Sequence, residues 1–211
     1  MNMTPAVRKF ALTAHITFSV GWLGAVAGFL ALAVAGLTSY DAQLVRGLYL
    51  AMGVTSWYAI VPLCLASLLT GLVMSLATKW GLFRHYWVTV KFLLTLVSTL
   101  ILFGFMQTLS YIGVLAADTT MPIDELRKLS QSPVIHSGGG LLVLLVNTTL
   151  SVYKPWGRTR YGLRKQHEQN EGLSSNRITS TWERWGRYIL LGIISLLLLF
   201  LVLHLSLGGG H

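Results

Sequence analysis

Residues 86–96, YWVTVKFLLTL, open an apolar run that continues to residue 116. A span from 87 to 116 exceeds the roughly 20 residues that carry a helix across a bilayer. Yet Lys91 sits inside it, past the aromatic flank of Tyr86 and Trp87. A lysine near a helix end can bend its stem outward and leave its ammonium at the headgroups. Alternatively the ammonium faces other helices and marks a functional site, because ionisable groups are costly in hydrocarbon. The rest of the chain bears on which reading holds.

Four further apolar stretches lie near 10–37, 46–77, 134–153 and 187–207, separated by segments rich in charge, Gly, Pro or Ser. Of the 211 residues only 11% are charged, and the formal net charge is +9. A soluble domain would have to hide these runs, so burial in lipid is the simpler account. The expected fold is all-α, an integral membrane helical bundle formed by a single transmembrane domain over residues 1–211. Four helices form its core. The fifth is placed at the periphery because its run is nearly uniform, with Ser195 and His204 on opposite faces.

Arg8 and Lys9 before the first run, with Ala33-Val34-Ala35 near its end, have the outline of a signal peptide, but the run is too long for a typical signal core. Pro62 is expected to kink the second helix. Pro122, followed by acidic and then basic residues, is placed to start a short surface helix. Cys64 sits in an apolar run and is read as packing. The final GGGH has no membrane logic, and no function is given to His211.

With alternating spans, one side of the membrane collects Arg8, Lys9, Lys79, Arg84 and the basic loop 154–186, while the other receives Arg46, Arg127 and Lys128. The positive-inside bias therefore puts the N-terminus in the cytoplasm and the C-terminus outside the cell membrane. The same bias explains the basic excess without nucleic acid, for which there is no binding signature. The lipid bilayer is the expected partner, and the basic loop suits contact with anionic lipid.

The spans are not apolar all round. Arg84, Lys91, Thr95 and Ser98 trace one face of the third helix. Ser56, Ser67, Thr70, Gly71, Met74 and Thr78 do so on the second, and His136, Gly140, Asn147 and Ser151 on the fourth. Helix one carries His15, Ser19 and Trp22 on one face, and Gly21, Gly24 and Gly28 on roughly the opposite face, where close helix approach is expected. The polar faces should look at one another.

Depth selects which of these side chains meet. His15 lies six positions beyond Lys9, Met74 five before Lys79, Lys91 seven beyond Arg84, and Asn147 seven before Lys154. At about 1.5 Å per residue, all four fall about 10 Å into the cytoplasmic leaflet. His136 belongs near the opposite face, within a turn of Pro133, and is expected at the interface.

Two fragments carry a resemblance. HITFSVGWLG, with His15, Trp22 and Gly24, resembles the first helix of CopD-type copper-resistance proteins and HemJ-type protoporphyrinogen oxidases. WVTVKFLLT resembles the helix that bears a lysine near its start in those families. HSGGGLLVLLVNTTL and SVYKPWGRTRYG look more like a related group of uncharacterised bacterial membrane proteins. The HemJ-like branch implies haem b in a helical bundle, with the functional His and Lys carried over to His15 and Lys91. The CopD-like branch implies copper handling by Met and His. The segment after the first-helix tryptophan departs from the HemJ-like pattern, so protoporphyrinogen oxidation is not carried over.

The leading expectation is a haem b-binding membrane protein. In it His15 is an axial ligand, Met74 a second ligand, and Lys91 with Arg84 pairs the propionates, with Asn147 at the same depth. Such a site suits electron transfer with quinone or a membrane oxidoreductase as partner, although no sequence feature establishes an enzymatic reaction. The alternatives are a copper-binding or transport protein and a non-catalytic accessory subunit. Copper would use His15 and Met74, with Met52, Met106 and His136 as a second set at the outer end. The accessory subunit would use its polar seams only to join helices. Oligomeric state is left open.

Overall fold

The computed structural model describes residues 4–77, 85–129, 131–153, 159 and 163. Helix five at 187–207, Arg84, and the basic loop 154–186 apart from residues 159 and 163 lie outside the described residues. Six α-helices follow one another: α1 Pro5–Thr38, α2 Ala42–Thr55, α3 Val61–Ala77, α4 Tyr86–Ala117, α5 Ile123–Leu129 and α6 Gln131–Tyr153. A π-helical segment, Ser56–Ile60, joins α2 to α3. The described fold is thus all-helical.

Four stretches are long and apolar enough to cross a membrane: Pro5–Thr38, Ala42–Leu76, Tyr86–Ala117 and Ile123–Tyr153. They match the first four expected spans, extended by a few residues at most ends. The extensions follow from local capping. Thr4 accepts from the Val7 amide at 3.4 Å ahead of Pro5, and Asp41 accepts from the Gln43 and Leu44 amides at 2.9 and 3.3 Å. Each satisfies amides that have no partner within the first helical turn.

At Pro62 the helix changes its hydrogen-bond pattern. Lacking an N–H and crowding the carbonyl four residues back, it is poorly tolerated inside an α-helix. Here the preceding turn widens instead: the Val61 amide donates to Ser56 O, one residue further back than an α-helix would allow. The chain thus passes Pro62 as one continuous candidate span, Ala42–Leu76. The short helix near Pro122 is present as α5, with Asp124 and Glu125 in its first turn and Arg127 and Lys128 in its last.

α1 packs against α2, α3 and α6, and α4 against the same three helices. The main core lies between them, with Trp22, Phe29, Tyr49, Met52, Phe105 and Leu109 all buried. The outward faces are apolar as well: Phe10, Val20, Leu69, Leu100 and Leu142 are exposed. Apolar residues both inside and outside are the pattern of helices surrounded by lipid. One expected contact is corrected. Gly21 meets the Leu63 side chain, but Gly24 and Gly28 are exposed, with no described atom close to where their Cβ atoms would be. The bundle contacts α1 chiefly through its His15–Trp22 face, so the glycine face is largely turned away from the described helices.

At the α5 end, polar groups tie the chain together. Arg46 donates through Nη1 to Ala116 O at 3.1 Å and to Asp118 O, and through Nη2 to Thr119 O and Met121 O at 3.4 and 2.7 Å. One planar guanidinium thereby closes the end of α4 and the turn that follows. Tyr49 donates to Leu126 O at 3.0 Å, and Arg127 donates to Leu37 O at 3.2 Å while lying over the Tyr40 ring. Together these contacts seat α5 on α1 and α2.

Arg46→Lys keeps the charge but cannot span four carbonyls, so it is expected to lower stability by about 2 kcal/mol. Thermal unfolding in mild detergent reads this directly; an unchanged midpoint would show that the clasp adds nothing. The Asp118 carboxyl is held below its ordinary range by bonds from the Thr120 hydroxyl and amide, with a smaller contribution from Arg46. A depressed folded value means that this contribution is present above the ordinary carboxylate range and is lost as pH falls through the folded value. Asp118→Asn is expected to flatten that acid-side loss in a melting-temperature series across pH.

Candidate functional site

Three helix pairs meet through polar side chains. Between α1 and α3, Ser19 Oγ and Ser67 Oγ lie 2.8 Å apart, and His15 Nδ1 lies 3.0 Å from Thr70 Oγ1. Between α4 and α6, Lys91 Nζ donates to Ser151 Oγ, and Asn147 Nδ2 donates to Thr95 Oγ1 at 3.0 Å. Cys64 Sγ and Thr99 Oγ1, 3.2 Å apart, join α3 to α4. The expected facing of the polar stripes is therefore realised, and His15 and Lys91 lie within electrostatic range of each other.

Thr70 Oγ1 donates to Ala66 O at 2.6 Å; with that proton committed, Thr70 accepts toward His15, which favours the tautomer protonated at Nδ1. The neutral ring then presents its lone pair at Nε2, the arrangement of histidines that bind metals through one nitrogen and a supporting oxygen through the other. Gly71 permits this seat, because a Cβ there would stand 3.0 Å from His15 Cε1. Met74 is half-buried, one turn beyond Thr70 on the same helix.

Lys91 is half-buried and bonded inward. Its stem follows the tilt of helical side chains toward the N-terminal end of α4, and its ammonium ends beside Ser151 on α6, 6.0 Å from the centroid of the Trp87 ring. Ser151 in turn donates to Asn147 O at 2.9 Å. The Asn147 side-chain Oδ1 is buried and meets no hydrogen-bond donor among the described residues. Leaving such an acceptor unpaired costs about 1–3 kcal/mol.

The second methionine–histidine set is placed otherwise. Met52 and Met106 are buried in the main apolar core. His136 lines a cavity whose wall includes neither methionine. The His136 ring is half-buried and stacked on Phe105, with centroids 4.4 Å apart and planes 15° from parallel. Its Nδ1 donates to Ser132 O at 2.8 Å. Because α6 begins at Gln131, His136 falls in the second turn, where helix packing already governs the side chain. Among the described residues, no group of three or more His, Cys, Asp or Glu side chains is arranged to hold a metal ion.

The cavity was not legible in the sequence. Ser56, Ser98 and Gly140 stood on the polar stripes, but Phe105, Ile60 and Leu144 carry the same apolar character as lipid-facing residues. Hydropathy cannot distinguish those two surroundings.

These features define a helical protein with four candidate membrane-crossing helices around an internal polar seam. Comparison with known proteins finds no matching family model, curated protein or solved structure.

Gly71→Ala forces the His15 ring to move, and is expected to cost about 1 kcal/mol or more. Deuterium exchange of α1 around residue 15 should rise with it. Unchanged melting and exchange would mean that the ring shifts without consequence.

Proposed function

We propose that this chain is a multi-pass membrane protein that binds haem b at the polar end of its helical bundle and uses it in electron transfer. The observation that carries the reading is the His15–Thr70 contact: Thr70 Oγ1, which donates to Ala66 O, accepts from His15 Nδ1–H and leaves the Nε2 lone pair for a ligand. His15 would hold the iron, with Met74 as a second ligand, and Lys91 would pair a propionate, aided by Arg84. The unpaired Asn147 Oδ1 suits a hydrogen-bond donor, such as a water bridging to the ligand's carboxylate. Bound haem would supply a one-electron centre, with quinone or a membrane oxidoreductase as the exchange partner.

The same Nε2 lone pair and the Met74 sulfur are also a donor pair suited to copper. A structural reading rests on a different observation: His15, Ser19, Lys91 and Asn147 each bond a side chain on a neighbouring helix. Such bonds join helices in hydrocarbon at about 1 kcal/mol each.

The deciding experiment is the visible absorption spectrum of full-length protein purified in mild detergent from haem-sufficient cells. A Soret band is expected in the wild type, absent in His15→Ala and weakened in Lys91→Met, with both variants retaining the wild-type elution volume. A colourless wild type would overturn the haem reading. Metal analysis of that material then separates copper binding from a purely structural seam.

A further inference from the structure

A second site lies deeper in the bundle, away from the His15 seam. Its cavity, of about 70 Å³, is bounded by α1, the π-segment, α4 and α6 and is partly open on one side. At about 10–15 Å³ per water that is space for roughly five waters, about half of a 150 Å³ apolar cavity that admits benzene and far short of a tetrapyrrole, so a single ring would be held in part and project through the open side. The wall is mostly apolar, with Trp22, Phe29 and Phe105 among its rings, and four polar side chains interrupt it: Ser56, Ser98, His136 and Ser137. Among the described residues, the wall contains no Lys, Arg, Asp or Glu.

Two further features shape the space. The stacked His136 and Phe105 rings lie nearly parallel, giving the wall a pair of aligned aromatic planes. The π-segment begins at Ser56 and ends at Ile60, and both residues line the cavity. Single π-turns inside α-helices occur frequently at functional sites. An apolar space with a few convergent polar groups is the usual form of a small-molecule site.

We propose that this cavity binds a flat, uncharged ring bearing carbonyl or hydroxyl oxygens, the chemistry of a quinone or quinol headgroup. The apolar walls take the ring faces. The Ser56 and Ser98 hydroxyls can donate or accept and so serve either oxidation state of the oxygens, while Ser137 Oγ, whose proton goes to Pro133 O, can accept. An uncharged ligand suits a described wall of apolar and neutral polar side chains, since an unpaired charge there would be costly to desolvate. The site is independent of haem at His15: it rests on different residues and stands if that reading fails.

The test uses the full chain in lipid nanodiscs with an azido-substituted, short-tailed ubiquinone, competed by ubiquinone-1 and mapped by mass spectrometry. Saturable labelling is expected on peptides containing Ser98–Phe105 or His136–Leu144, suppressed by the competitor. Ser98→Leu, which fills the space, should lower labelling by about tenfold, and His136→Gln by several-fold. Gly140→Val fills it from the opposite helix and replaces Ser98→Leu if that variant does not fold. Labelling that rises linearly with probe and resists competition would overturn the site, as would wild-type labelling of a folded, cavity-filled variant. If neither filling variant folds, competition on the wild type decides.

Discussion

The structure depends on satisfying polar side chains between long apolar helices. Serine, threonine and lysine side chains on long apolar helices would be costly against lipid. Here they bond across helix pairs: Ser19 to Ser67, His15 to Thr70, Lys91 to Ser151, Asn147 to Thr95. Apolar contact alone gives weak preference for one helix face over another in such an environment, because lipid tails are as apolar as leucine. The polar pairs supply the preference, and so fix which faces of α1, α3, α4 and α6 turn inward.

The two ends of the bundle are built differently. At the α5 end, arginines and a tyrosine reach backbone carbonyls, with Arg46 closing the turn after α4 and Arg127 and Tyr49 holding α5 in place. At the other end the bonds run between side chains and include His15 with Thr70 and Lys91 with Ser151. The first pattern satisfies helix ends. The second gathers titratable groups inside the bundle, the arrangement expected of a site.

Between them, the π-segment couples backbone to cavity. Pro62 excludes a regular α-helical turn, and the widened turn before it brings both Ser56 and Ile60 to the cavity wall. The proline that marks an expected kink in the sequence thus also sits beside a widened turn that lines the cavity.

The sequence by itself determined the four described spans, the short helix after Pro122 and the polar stripes, because hydrophobic runs and helical spacing are local properties of the chain. Residue count along each helix also gives the expectation that His15, Met74, Lys91 and Asn147 share one level, since distance along a helix is proportional to residue count. Only the tertiary structure decided where each stripe ended. Lys91 bonds Ser151, Gly24 and Gly28 face outward from the described helices, and His136 stacks on Phe105. The physical reason is that helix rotation and partner choice are set by contacts between distant segments. In an apolar medium, lipid-facing and core-facing residues have the same composition, so those contacts leave little trace in the pattern of any single helix.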